Sequence, residues 1–299
     1  MADEVLDCLV VGGGVAGLMA AVYLQRYRRE VLVVDAGASR LRLIPRTRNV
    51  LGFPDGIPGP ELWDRIKEHA ARYGARVERG CIDRLEKRED GAFDAWAGKR
   101  HWRARYVVLA TGAKDVAPDI GGLDAALQAG NLRYCPVCDG FETQGQRVAV
   151  LGRAGHGLRE SLFVAGFGNE VTWLAMESQQ EVAPQDLARL RECGVRIAEH
   201  HPRHIHCSPG QGVHVELQDG QRLQFDVIYP ALGLVHACEL ATSLGARACD
   251  DGQLEVDAHQ QTTVPGLYAA GDVSVDLNQI SVAAAHAAIA ATAIHNALL

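Results

Sequence analysis

Hydrophobic and polar positions along this chain fall into blocks whose length and period mark out its elements. Residues 6–11 (Leu-Asp-Cys-Leu-Val-Val) form a short, nearly unbroken apolar run, and residues 31–35 (Val-Leu-Val-Val-Asp) form another. Such runs predict strands buried on both faces, as in a parallel sheet. Between them lie a glycine-rich turn over 12–17 and a helical stretch from about Leu18 to Tyr27. Leu62, Ile66 and Ala70 recur at helical spacing and predict an amphipathic helix over 61–73. Residues 77–82 and 92–102 predict the strands of a small meander, followed by a buried strand in 106–113 that runs into Thr111-Gly112. Residues 36–60 and 114–134 carry the glycines and prolines of loops.

The same pattern returns in the second half. An apolar strand at 147–152 runs into glycine, a helix follows over 158–165, and a strand over 171–175 completes a repeat of the first unit. A short helix is predicted at 187–193. Residues 195–228 alternate as strands, clearest at 213–217 and 223–228, and 229–233 is an exit strand. Residues 262–272 read as a strand ending in Gly271-Asp272, and a long Ala-rich helix begins at Gln279. Strands alternating with helices predict an α/β fold.

The first glycine-rich turn has a specific chemistry. In Gly12-x-Gly14-x-x-Gly17 the first glycine makes the tight turn, the second lets backbone approach a pyrophosphate, and the third lets helix pack on strand. The helix start offers free N–H groups to phosphate, and Asp35 closes the second strand where a ribose-binding acid belongs. A structural glycine turn alone would leave that acid as coincidence, so the stretch is read as a dinucleotide site.

Cys135-Pro-Val-Cys138-Asp139 admits two readings. A CxxC pair followed by an acid suits a redox couple, because this arrangement lowers a thiol's pKa and the thiolate is the reactive form. Half of a zinc site is the rival. It needs two further ligands, from Cys193, Cys207 or the histidines at 200, 201, 204 and 206, and no second CxxC exists. The bland reading of the histidine run is a solvated edge strand. Cys8, Cys81, Cys193, Cys238 and Cys249 are read as core or surface residues, and the four tryptophans as apolar bulk.

Composition narrows the class. The 299 residues are 47% hydrophobic with a formal net charge of -7, so a globular protein of two ordinary domains is expected and nucleic acid is not an expected partner. The N-terminus lacks a signal-peptide pattern. The richest apolar stretch, residues 280–299, is interrupted by His286, His295 and Asn296, so no membrane span and a cytoplasmic location are expected.

Taken together, Gly12-x-Gly14-x-x-Gly17, Ala110-Thr111-Gly112, Cys135-x-x-Cys138-Asp139 and Tyr268-Ala-Ala-Gly271-Asp272 followed by Gln279 resemble the low-molecular-weight thioredoxin reductases and related two-domain flavoprotein disulfide reductases. The resemblance covers essentially the whole chain. It implies two Rossmann-like three-layer domains, the dithiol domain (115–233) inserted into an FAD domain (1–114 and 234–299). It implies that Gly12, Gly14, Ala16 and Gly17 hold the FAD pyrophosphate and Asp35 the adenosine ribose. Val77, Thr111 and Gly112 would line the adenine, Asn49 would sit near the flavin, and Gly271 and Asp272 would bind the ribityl chain. Gln279 and Ile280 would meet the flavin's pyrimidine edge, where a helix start stabilises negative charge by a few tenths to about 2 kcal/mol. Cys138 would face the flavin, Cys135 would attack a partner disulfide, and Asp139 would serve as acid/base. His286, about two turns into the last helix, matches a histidine placed near the dithiol in dithiol-oxidising relatives. A homodimer and a thioredoxin-like or small disulfide or dithiol partner are implied.

The second glycine-rich turn departs from the family's pattern. It reads Gly152-Arg153-Ala154-Gly155-His156-Gly157, with a methyl group where a pyrophosphate should approach. Residues 174–181 (Leu-Ala-Met-Glu-Ser-Gln-Gln-Glu) hold two acids and no base where NADPH-using members carry paired arginines, and Asn278 stands where they have another. The expectation is a disulfide oxidoreductase that does not take electrons from NADPH. A ferredoxin-type donor, oxygen-linked dithiol oxidation, and a flavin-binding redox sensor are the alternatives.

Overall fold

Alternate side chains of the first strand, Val5–Val11, enter opposite cores, and the first sheet is built around that fact. Leu9 and Val11 join Leu32, Phe93, Val107 and Leu254 on one face; Val10 joins Ala20, Leu24, Val33, Val108, Ala287 and Ile294 on the other. In this computed structural model, which describes residues 5–178, 182–207 and 212–299, the chain divides into two compact units. The first comprises Met1–Arg42, Pro60–Lys114 and Val235–Leu299; the second comprises Leu43–Gly59 and Asp115–Leu234.

The sheet of the first unit runs, in order, Arg76–Arg79, Val31–Asp35, Val5–Val11, Arg100–Leu109, Phe93–Ala97 and Arg84–Lys87. The first four are parallel neighbours and the last two are joined antiparallel as a meander. Strand Arg100–Leu109 is one long element where two were expected, because its start pairs with the meander and its end pairs in parallel with Leu267–Ala269. The strand expected over 262–272 is therefore only three residues long. Helices Val15–Arg26 and Ile280–Ala297 cover one face. The second of these is long and apolar enough to cross a membrane by length and composition, contrary to the sequence reading; Ala283, His286, Ala287, Ala290, Ala291 and Ile294 are buried in the unit.

The second unit repeats the plan. Parallel strands lie in the order Arg196–Ile197, Glu170–Ala175, Arg147–Gly152 and Val227–Ala231, and Pro202–Cys207, Val213–Leu217 and Arg222–Phe225 form a separate antiparallel sheet. The run expected as one strand over 223–228 is two strands. Asp226 parts them, its carboxylate accepting from the Arg147 backbone N–H at 2.9 Å and from the Arg147 guanidinium at 2.8 Å. The segment 114–134 contains a helix, Leu123–Gln128, entered through Gly122 at φ +87°; Ala126 is buried in the core beside Leu132. Of the acidic stretch after Glu170–Ala175, Gln180 and Glu181 lie outside the described residues.

Candidate functional site

In the first unit the expected cofactor residues gather at the C-terminal ends of the parallel strands, where open α/β sheets bind ligands. Gly12 is at φ +108°, and a Cβ there would sit 2.2 Å from the Ala110 carbonyl oxygen. A Cβ on Gly17 would sit 1.8 Å from the Gly12 carbonyl oxygen, so the helix can lie on the strand only because both residues lack side chains. Gly14 differs: a Cβ there would meet only Ser39 Oγ, at 3.8 Å. Its open face, at the start of a twelve-residue helix, fits the pyrophosphate of a dinucleotide. Asp35 Oδ1 accepts from the Gly13 N–H at 3.0 Å, tying the acid to the turn.

Thr111 donates to Ala237 O at 2.6 Å, and Gly112 follows at φ +69°. At Gly271, φ +81°, a Cβ would be 3.0 Å from Ala16 Cβ and 3.4 Å from Ala283 Cβ, so both covering helices close on this glycine. Asp272 Oδ2 accepts from Arg40 Nη1 at 2.7 Å, a partner the sequence does not announce. Gln279 is the N-cap of the last helix and Ile280 its first residue. Val77 lies half-exposed on the strand beside Val33.

His286 is buried on the last helix. Its Nδ1 lies 3.2 Å from Ser274 Oγ, whose own proton goes to Gly271 O at 2.9 Å. With that proton committed, Nδ1 carries a hydrogen and donates to Ser274. Nε2 then faces Asp276 Oδ2 at 3.5 Å. The backbone N–H of Leu277 and the imidazole hold the Asp276 carboxyl below its usual range.

The second unit holds the sulfurs. Cys135 and Cys138 are joined as a disulfide, which removes both from any zinc site in this state. Cys135 is the N-cap of a short helix, Pro136–Asp139, with proline at its first position where the missing N–H costs nothing. The carbonyls at the end of so short a helix need outside donors. Asn49 Nδ2 donates to Val137 O at 3.3 Å and the Arg48 N–H to Cys138 O at 3.4 Å. Segment Leu43–Gly59 therefore folds with the cysteine turn, and Asn49, expected near the flavin, is engaged there.

Asp139, the residue after Cys138, is buried. Burial pushes its carboxyl above the usual carboxylate range, against the pull of Tyr229 and Arg133 and with a small push from Glu142. Tyr229 donates to Oδ1 at 2.7 Å and Arg133 Nη1 to Oδ2 at 3.1 Å. Neither partner was singled out from the sequence. Tyr229 lies within an apolar run, and Arg133 stands just ahead of the cysteines with no pattern to mark it.

At the second glycine-rich turn the packing glycines are closely confined. A Cβ on Gly157 would lie 2.6 Å from Trp173 Nε1, and Gly152 is similarly confined against Ala231 O. The helix begins at Ala154, a turn earlier than the sequence suggested. The Ala154 N–H donates to the Glu177 carboxylate, so an internal anion occupies the amide at the helix start. In the first unit Asp35 takes the amide of Gly13, before the helix, and leaves Gly14 open.

Among the described residues no three of His, Cys, Asp and Glu form a group able to hold a metal ion. The His204 and His206 rings lie 4.4 Å apart, tilted by 42°, on strand Pro202–Cys207, and His206 pairs with Glu216 at 3.1 Å.

A family profile described as pyridine nucleotide-disulphide oxidoreductase matches residues 6–290. Thioredoxin reductase of Bacillus subtilis (strain 168) is 26% identical over 98% of this chain and 95% of its own. The crystal structure of HlmI superposes with a TM-score of 0.90 at 28% identity, over 98% of this chain and 92% of that one. Thioredoxin reductase from Streptococcus pyogenes MGAS5005, at 24% identity, gives the same TM-score over 99% of both chains and so shares the fold.

Proposed function

Because the chain belongs to the pyridine nucleotide-disulphide oxidoreductase family, we propose that it exchanges electrons between FAD and the Cys135–Cys138 pair and passes them to a partner disulfide without NADPH as donor. It is a thioredoxin-reductase-like, flavin-dependent disulfide oxidoreductase. The observation that carries the finer reading is the closed disulfide followed in the chain by the buried carboxyl of Asp139. The first unit would hold FAD: Gly12, Gly14, Ala16 and Gly17 at the pyrophosphate, Asp35 at the ribose, Val77, Thr111 and Gly112 at the adenine, Gly271 and Asp272 at the ribityl chain, and Gln279 and Ile280 at the pyrimidine edge.

Held in its reduced form by these residues, FAD would supply the electron pair that opens the Cys135–Cys138 disulfide. In the opened form Cys135, as thiolate, attacks one sulfur of the partner disulfide. A Cys135–partner bond forms, the partner's own S–S bond breaks, and the departing thiolate takes a proton from Asp139. Cys138 then attacks the Cys135 sulfur. The internal disulfide closes and the second partner thiolate leaves, to be protonated by solvent. Two electrons pass from the dithiol to the partner. A positioned carboxyl acid contributes roughly 10² to 10⁴ in rate to such a step.

Three features support a donor other than NADPH. Ala154 fills the position of the second glycine, Glu177 already takes the helix-start amide, and residues 174–178 carry no arginine. A phosphate entering there meets a carboxylate, with no fork of N–H donors to offset its desolvation. A ferredoxin-type one-electron carrier is the donor this reading favours. One observation favours the reverse reaction as a second reading, oxidation of a small dithiol with oxygen as acceptor. Buried His286 has its Nδ1 on Ser274 and its Nε2 toward Asp276, an imidazole–carboxylate pair able to hold and pass a proton. By resemblance the protein is a cytoplasmic homodimer with a thioredoxin-like or small-molecule partner.

Anaerobic titration of the holoprotein with NADPH, NADH, reduced ferredoxin and dithiothreitol tests the reading. Dithiothreitol or ferredoxin bleaches the flavin band and the pyridine nucleotides do not. Bleaching by NADPH within milliseconds overturns the donor assignment. A yellow protein that turns over neither a disulfide nor a dithiol is a sensor and not this enzyme.

A further inference from the structure

We propose that Arg133 and Tyr229 are positioning residues for Asp139, each holding one oxygen of its carboxyl group so that the acid stays in one orientation. The inference rests on the reading of Asp139 as the proton donor. Tyr229 Oη donates to Oδ1 at 2.7 Å and Arg133 Nη1 to Oδ2 at 3.1 Å, and the tyrosine is wholly buried.

Both holders are anchored by the same strand. Tyr229 belongs to Val227–Ala231, its ring in the core with Trp173 and Val150. Arg133 is fixed by its backbone N–H to Ile228 O at 2.9 Å and by its Nε to Gly130 O at 3.0 Å. A rotation of the Asp139 side chain would break two hydrogen bonds at once. Among the described residues, Glu142 also acts on this carboxyl, and it pairs with Arg48 at 3.7 Å.

The two holders differ in what they allow. Guanidinium only donates, so Arg133 favours the ionised carboxylate. A phenol can donate to a carboxylate or accept from a protonated carboxyl, so Tyr229 serves both states that an acid must visit. Burial raises the carboxyl's proton affinity; the two donors limit that rise. The result is a carboxyl that can give up and regain its proton without reorienting.

The test is the pH dependence of single-turnover reduction of hydroxyethyl disulfide by the stoichiometrically reduced holoprotein. Its alkyl thiol is a poor leaving group, so proton donation is visible. In the wild-type protein the rate falls at high pH as Asp139 loses its proton. Arg133→Met moves that fall up by about one to two pH units, and Tyr229→Phe moves it up by less. Arg133→Lys restores the wild-type position. In an Asp139→Asn background neither substitution changes the profile, since the group they hold is gone. A profile that stays in place in both Arg133→Met and Tyr229→Phe, while Asp139→Asn abolishes it, overturns the positioning role and leaves the proton-donor reading standing. Unchanged rates in Asp139→Asn overturn the proton-donor reading itself.

Discussion

An added methyl carbon at Gly17 would sit 1.8 Å from the Gly12 carbonyl oxygen, closer than any two such atoms approach, so Gly17→Ala must push helix from strand. A loss of about 1–3 kcal/mol in chemical denaturation is expected, together with loss of flavin on gel filtration. Glu160 presents the opposite problem: a half-buried carboxyl whose raised proton affinity comes from desolvation alone. Desolvation raises it from 4.5 to about 7. The folded chain then keeps a proton that the unfolded chain gives up. Stability falls as pH rises from the unfolded carboxyl's range through about 7. Glu160→Gln removes this dependence and stabilises the protein by roughly 1–3 kcal/mol at pH 8 but little at pH 4, measured by denaturant midpoints at the two values.

The two helices that follow glycine-rich turns differ in their first residues. Helix Val15–Arg26 opens behind the bare face of Gly14; helix Ala154–Ala165 opens on an amide already bonded to Glu177. Ala154→Gly combined with Glu177→Ala clears both obstacles, and weak, saturable NADPH binding is expected by calorimetry where the wild-type protein shows none. Glu177→Gln alone removes a carboxylate from a helix start and costs about 0.3–1 kcal/mol of stability. On the last helix, His286→Gln keeps the side chain's size and Ser274 contact but cannot take a proton. It is expected to retain the flavin spectrum while slowing dithiol oxidation roughly 10²-fold or more, read by stopped flow.

For the molecule as a whole, the assignment of attacking and resolving sulfur has a visible consequence. If Cys135 attacks and Cys138 resolves, as proposed, Cys138→Ser is expected to capture oxidised thioredoxin as a mixed disulfide that nothing resolves, and Cys135→Ser to capture none. Gel mobility without reductant checks this. How much of such a molecule could be read in advance depended on how local each feature is. The two strand–glycine–helix repeats, the cysteine pair and the last helix were legible because their signals are complete within a few neighbouring residues: period, turn chemistry and apolar runs. Strand lengths were less legible. Arg100–Leu109 is long and Leu267–Ala269 short because each edge extends only as far as its neighbour, a quantity set by residues far along the chain. By itself the sequence determined the α/β class, the dinucleotide turn and the CxxC-Asp motif, since each is encoded by contiguous residues whose sterics admit few alternatives. Only the tertiary structure decided which groups meet them: Arg133 and Tyr229 at Asp139, Glu177 at Ala154, Arg40 at Asp272, Ser274 and Asp276 at His286. Those pairs join separated parts of the chain, and a polar side chain's partner is chosen by what burial leaves within hydrogen-bond reach.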